Sequence, residues 1–269
     1  RDKKIGLVGV DGTRNIINLS PDKVKIVFPS THVVFEGLQE MRKGITESLE
    51  PKPILEYSKG KYQSEKDIIN SGKNYTILRL ASVYGKSFDS TRINIMPNLF
   101  SKITSMNGEI KLYSKGDQIK SLVSVFDVAR CLEFVGENNN IKSQIYNCVN
   151  ENLSVRQVGE ICKKINKNLK LINTNDLVPN KGYSLSNKKI LNEGFKFQFG
   201  IEESIKSMVN SWKDKNRFVI NEELEIGKDS YVDSRGIITN YYIDDSINMI
   251  GYVESSKNSI RGNHYHPVQ

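Results

Sequence analysis

Two β-branched runs bracket a helical stretch, and their spacing narrows most what this chain can fold into. The first, KVKIVFPSTHVVFEG (Lys23–Gly37), reads as a strand running into a Ser-Thr turn. The second, NYTILRLASVYG (Asn74–Gly85), is an apolar strand ending in a loop of small residues. A strand, a helix and a second strand at this separation form a βαβ unit, so the two strands should lie parallel. In such units ligands sit at the carboxyl ends of the strands. Thr31, Tyr57 and the Ala81–Val83 loop would share that edge.

The intervening helix carries YSKGK, which sets Tyr57 and Lys61 four residues apart, with Glu65 four further on. Positions i and i+4 stack on one helix face, so the phenol and the ammonium can serve one site. A free tyrosine ionises near pH ~10, too high for acid–base work at neutrality. A nearby ammonium favours the phenolate and moves the group towards a useful range. The spacing alone is not specific, because Tyr62 and Lys66 repeat it. The flanking strands make it so.

With those segments in order, the chain resembles the extended short-chain dehydrogenase/reductases, specifically the NAD-dependent nucleotide-sugar epimerases and dehydratases. The resemblance runs from about Val10 to Trp212. VDGTRNII (Val10–Ile17) looks like the family's helix before its fourth strand, and PSTHVVFEG like its SSxxVYG segment. YSKGKYQSEK resembles the YxxxKxxxE helix. RLASVYG resembles RPxxVYG, with Leu80 in place of proline. KSLVSVFDVARCLEF (Lys120–Phe134) resembles RDFVHVDDVARA, and GYSLSNKKILNEGFKF with GIEESIKSMVNSW resembles the substrate-side segments. The resemblance implies that Tyr57 moves a proton at a sugar hydroxyl while NAD or NADP exchanges hydride at the same carbon. Thr31 would hydrogen-bond the sugar oxygen; Ser30 is the other hydroxyl at hand, and register favours Thr31. Lys61 would hold the nicotinamide ribose, and Leu80, Ala81 and Val83 would lie against the nicotinamide. Lys120 and Arg92 are candidates for the nucleotide-diphosphate sugar. Glu65 reads as a helix-face charge, His32 as packing beside the strand end, and Tyr84 and Gly85 as structural. A homodimer built on the tyrosine-bearing helix is implied as well.

One family signature is missing. A glycine-rich turn between a first strand and helix lets backbone approach a pyrophosphate. The early glycines, in GLVGVDG (Gly6, Gly9, Gly12), have no complete strand before them and fit the family's later helix better. The chain opens on Arg1 and stops inside a motif, so the expectation is a fragment: a Rossmann-like sheet lacking its first strands.

After Trp212 the pattern changes. KDKNRF (Lys213–Phe218) precedes short alternating runs, FVINEELEI, YVDSRGIITNYYI, NMIGYVESS and NSIRGNHYH, which predict an all-β unit. DSRGIITNYY and SIRGNHYH resemble the start of the cupin-like dTDP-4-dehydrorhamnose 3,5-epimerases. That resemblance implies His264 as a base removing a proton beside a keto group, and Arg261 as a phosphate contact. No metal is expected there; the alternative is zinc held by His264 and His266, since His-x-His on a strand presents both rings on one face.

The fold expected is therefore α/β, a doubly wound parallel sheet over residues 1–216, followed by a partial cupin-like β-barrel over 217–269. The function expected is a nucleotide-sugar epimerase or reductase of deoxysugar and surface-polysaccharide synthesis fused to a keto-sugar epimerase-like module. His32-Val33 stands where a dehydratase would carry Asp-Glu. Two alternatives remain open: a keto-sugar reductase with a zinc cupin, and a non-catalytic nucleotide-sensing or scaffold relative. Composition excludes other classes. No apolar run reaches the roughly 20 residues of a membrane-spanning helix. The net charge is +8, but the lysines are scattered without interleaved aromatics, against a nucleic-acid surface. Cys131, Cys148 and Cys162 sit singly in apolar patterns and read as reduced, buried thiols of a cytoplasmic protein.

Overall fold

The computed structural model describes residues 4–38, 41–86, 92–176, 182–215, 227–233, 236–242 and 249–255, with side chains described as far as Trp212. The chain divides into two compact units, Arg1–Asn210 and Ser211–Gln269.

In the first unit, helix α1 (Lys4–Leu19) leads into strand β1 (Ile26–Thr31) and a 3-10 turn (His32–Phe35). Helix α2 (Glu56–Asn70) and strands β2 (Tyr75–Leu80) and β3 (Ser82–Tyr84) follow. Then come α3 (Met96–Ser105), β4 (Glu109–Leu112), β5 (Ile119–Ser124), α4 (Val125–Glu137), β6 (Gln144–Cys148) and β7 (Glu151–Ser154). Helix α5 (Val155–Ile165), β8 (Lys170–Asn173), α6 (Lys188–Asn192) and α7 (Ile201–Lys215) complete the order, α7 running on into the second unit.

The βαβ unit forms as expected. Strands β1, β2 and β6 pair in parallel in that order, with Thr31 opposite Leu80 and Leu80 opposite Cys148. Both faces of the sheet are covered, because alternate residues of a strand point to opposite sides. On β2, Ile77 joins Ile26 and Ile68 in a small core to which α1 adds Ile17. Its neighbour Leu78 belongs to the larger core, with Cys131 and Val135 of α4. Ile68, Ile77 and Leu78 are fully buried, and each such side chain contributes about 1.5–3 kcal/mol. A mixed sheet, β3-β5-β7, and a parallel pair, β4-β8, extend from the carboxyl side. The α5 helix opens with a reciprocal capping box between Ser154 and Gln157.

Gly6, Gly9 and Gly12 all lie inside α1, so they form no phosphate-binding turn. Gly6 has a packing reason instead. A Cβ on Gly6 would stand 2.6 Å from the Glu56 carbonyl oxygen, and one on Gly60 would stand 2.7 Å from Gly6 Cα. The helices cross backbone to backbone at the first turns of α2, beside Tyr57.

In the second unit, β9 (Gly227–Asp233), β10 (Gly236–Tyr242) and β11 (Met249–Ser255) form an antiparallel sheet in the order β11-β10-β9. The run YVDSRGIITNYYI, read from sequence as one strand, is split between β9 and β10, with Asp233 paired to Gly236. FVINEELEI and NSIRGNHYH, with Arg261, His264 and His266, lie outside the described residues.

Candidate active site

A cleft of about 1000 Å³ opens at the carboxyl ends of β1 and β2. Thr31, Tyr57, Leu80, Ala81, Val83 and Arg92, all singled out from sequence, line it. The β1–β2 register explains the convergence: pairing Thr31 with Leu80 ends both strands at one level, and the residues that follow must turn into the cleft. Gly85 closes the β3 end at φ +146°, where a Cβ would meet Val125 Cγ1 at 2.6 Å, so this turn requires glycine. Its N–H is held by Asn98 Oδ1 at 3.0 Å. Tyr84 is buried and bonds the Phe199 carbonyl at 3.3 Å, the structural role read for both residues.

The two hydroxyls at the end of β1 have separate fates. Ser30 Oγ donates to Glu65 Oε1 at 2.5 Å. Thr31 Oγ1 accepts from the Val33 N–H at 3.2 Å and so keeps its proton to donate; among the described residues that proton has no acceptor. Tyr57 is 44% exposed on the cleft wall. Its neighbour one turn on, Lys61, is not among the lining residues. The Lys61 ammonium donates to the Pro29 carbonyl at 2.9 Å and stands 4.6 Å over the Phe28 ring. Burial lowers its pKa, with Glu65 opposing. Lys120, on β5, is also outside the lining set; burial lowers its pKa too. Arg92 is on the wall and donates to Asn94 Oδ1 at 2.8 Å. Lys86 joins it there.

Two sequence readings need correction. Glu65 is not a helix-face charge. It is fully buried and takes three contacts from Arg79, the shortest at 2.8 Å from Nη2. Eight residues past Tyr57 is a little over two turns, so Glu65 stays on the sheet-facing side and reaches the core. His32 does more than pack. It lines the cleft, with Nδ1 3.0 Å from the Tyr183 hydroxyl and Nε2 3.3 Å from Ser82 Oγ. Burial, aided by the Lys120 charge, holds its pKa at about 4, so the ring is neutral at physiological pH.

A further anchor was not read from sequence. Helix α2 begins at Leu55 without a side-chain cap of its own. Glu36 supplies one from the β1–α2 connection: its Oε1 accepts from the N–H groups of Ile54 (2.9 Å) and Leu55 (2.6 Å) and from Ser58 Oγ (2.5 Å). A carboxylate here satisfies orphan donors and complements the helix dipole. It ties the end of β1 to the turn that bears Tyr57.

The three cysteines are buried and free. A hydrogen bond with Cys131, then burial, raises the Cys148 pKa, and burial pushes Cys162 up to about 11, so both are inert as thiols. Among the described residues, no group of three acidic, His or Cys side chains is placed to hold a metal, and no helix is long and apolar enough to cross a membrane.

No curated protein sequence matches the chain. Among solved structures it is similar to UDP-glucose 4-epimerase of Thermotoga maritima, determined with UDP-glucose. That match has a TM-score of 0.66 and 20% identity over 79% of this chain and 71% of that one. It is similar to RMD of Pseudomonas aeruginosa, complexed with NADPH, at a TM-score of 0.65 and 14% identity over 77% and 73%. It is also similar to the dTDP-glucose 4,6-dehydratase of Bacillus anthracis, in complex with NAD (0.64, 18%, 78% and 69%). At these identities the likeness is one of fold. The sequence itself supplies the assignment: residues 3–148, more than half of the chain, match the model of the NAD dependent epimerase/dehydratase family, and the chain belongs to that family.

Proposed function

We propose that this chain carries the acid–base half of an NAD(P)-dependent nucleotide-sugar epimerase or reductase. The observation that carries the reading is the meeting of Tyr57 and Thr31 on one cleft, at the carboxyl ends of parallel strands, with Lys61 one turn along the same helix. Tyr57 exchanges a proton with a sugar hydroxyl, being the exposed phenol on the wall. Thr31, with its proton unspent, donates to the oxygen on which charge changes, which stabilises the transition state more than the ground state. Lys61 stands at the end of β1 with its ammonium on Pro29, within the region where a cofactor ribose would lie.

The residues present fit the nicotinamide end of the cofactor. Leu80, Ala81 and Val83 offer a small, apolar wall beside Tyr57. A glycine-rich pyrophosphate cradle is not found among the described residues, α1 having absorbed the early glycines. When bound, NAD or NADP would supply hydride exchange at the sugar carbon. Lys86 and Arg92 would face the diphosphate at the cleft, with Lys120 in reserve behind it. A homodimer packed on α2 and α1 suits the apolar side chains that α1 exposes, Leu7, Val8, Ile16 and Leu19 among them.

The antiparallel sheet of the second unit is compatible with the opening strands of a cupin-like keto-sugar epimerase, with His264 as base and Arg261 on phosphate. Such a module would act on the keto sugar that the first one makes, in deoxysugar and polysaccharide synthesis. The test uses the full-length protein with a panel of UDP-, GDP- and dTDP-sugars and NAD(H), products followed by mass and NMR. Turnover should fall at least about 100-fold in Tyr57→Phe, the scale of a lost general acid–base. Solvent deuterium beside the keto carbon would implicate the second module. An unchanged rate in Tyr57→Phe sinks the proposal.

A further inference from the structure

The His32 cluster has a feature that the acid–base machinery does not use: its hydrogen bonds run in one direction. The Tyr183 hydroxyl is 2.8 Å from the His32 carbonyl oxygen and 3.0 Å from Nδ1 of the same residue. A carbonyl can only accept, so the single phenolic proton goes to it. Nδ1 then faces a lone pair on the phenol and must carry a proton of its own. The ring is neutral, because burial and the Lys120 charge hold its pKa at about 4. A neutral imidazole with Nδ1 protonated has a bare Nε2. Among the described residues, the protonated group in reach of that nitrogen is the Ser82 hydroxyl at 3.3 Å, which therefore donates inward. What Ser82 turns to the cleft is lone pairs alone.

Tyr183 belongs to the segment after β8, His32 to the 3-10 turn after β1 and Ser82 to the start of β3, so the chain of bonds is a tertiary construction. Burial of Tyr183 raises its pKa, which keeps its proton in place across the neutral range. Thr31, one residue before His32, has the opposite polarity: it accepts from Val33 and has a proton to give. The wall thus presents one fixed donor and one fixed acceptor on the same cleft.

We propose that His32 is a positioning residue that makes Ser82 an acceptor-only subsite for a second hydroxyl of the sugar, distinct from the hydroxyl at which Tyr57 acts. The inference rests on the nucleotide-sugar reading of the cleft. It gives His32-Val33 a purpose of its own: orienting a hydroxyl rather than eliminating one. A ligand hydroxyl donates to Ser82 and is held; a fluorine at the same carbon cannot donate and is rejected.

Two measurements on the full-length protein test this, and they fail separately. Nitrogen-15 NMR of histidine-labelled protein, with His32→Gln to assign the signal, should show His32 neutral at pH 7 with the proton on Nδ1. An Nε2-protonated or charged ring overturns the relay whatever the substrate. The second measurement is calorimetric binding of UDP-glucose and its 2-, 3-, 4- and 6-deoxyfluoro analogues. One analogue should bind about tenfold more weakly than UDP-glucose, the usual scale of one lost hydrogen bond. In Ser82→Ala that difference should vanish, and in Tyr183→Phe, which frees the tautomer, it should shrink while UDP-glucose still binds. Equal discrimination in wild type and Ser82→Ala overturns the subsite. If neither UDP-glucose nor any other UDP-, GDP- or dTDP-sugar binds the wild type, the sugar-hydroxyl assignment falls together with the proposed function, while the Nδ1 tautomer would still stand or fall by NMR.

Discussion

Glu65 and Arg79 are both essentially solvent-free, and each is the other's charge partner. Arg79 also reaches the Glu47 carbonyl at 3.2 Å and stacks over Phe35 at 5.2 Å, while Glu65 holds Ser30. This pair therefore joins α2, β1 and β2 just below the cleft. Removing one partner leaves a bare charge in the core, so Glu65→Ala should cost roughly 3–5 kcal/mol of stability. Replacing both, as Glu65→Leu with Arg79→Met, should recover much of that loss, since matched apolar groups leave no charge behind. Urea unfolding followed by circular dichroism measures both, and a single-variant loss under about 1 kcal/mol would contradict the burial argument. From sequence, Glu65 is indistinguishable from a solvated helix charge. Whether a carboxylate eight residues past Tyr57 meets water or an arginine depends on the strand that packs over it. That is tertiary information.

At the scale of elements, the strands and the helix of the βαβ unit were legible because they follow local rules: β-branched alternation, small residues at the strand ends, and an i, i+4 pattern between. The convergence of Thr31, Tyr57 and Ala81–Val83 followed from parallel pairing alone. Helix packing was not legible. Gly6 and Gly60 are 54 positions apart, and nothing local marks either as a contact, yet each would clash with the other helix if it had a Cβ. The Glu36 cap is of the same kind, a carboxylate reaching 18 residues forward to a helix that lacks its own. Gly60→Ala should therefore be destabilising by about 1–3 kcal/mol through overpacking. Gly9→Ala, in the same α1 helix with nothing within 4 Å of the new methyl, should stabilise by about 0.5–1 kcal/mol through helix propensity. Thermal unfolding of the two variants reads the difference in sign. Two effects of the same sign would mean that α1 and α2 do not cross at Gly6.

The whole molecule sets the field in which the cleft works. A net charge of +8 biases a nucleotide diphosphate towards any exposed opening. The cleft adds a local term: Lys86 and Arg92 line it, against one acidic lining residue, Glu56. Long-range attraction and local pairing respond differently to salt. The first decays over about 8–10 Å at physiological ionic strength, while contacts inside a partly enclosed cleft are screened much less. If both act, UDP-glucose affinity should fall several-fold between about 20 and 200 mM NaCl, as the Debye length shrinks about threefold, and uncharged uridine should show almost no dependence. Arg92→Gln should lower affinity at every salt concentration and flatten the slope, because it removes one of the two cations on the cleft wall. Calorimetry at four or five salt concentrations gives both lines. A slope that survives Arg92→Gln intact would assign the attraction to the surface as a whole. No slope in the wild type would mean that the diphosphate does not sit among these cations, and that the nucleotide enters the cleft from another side.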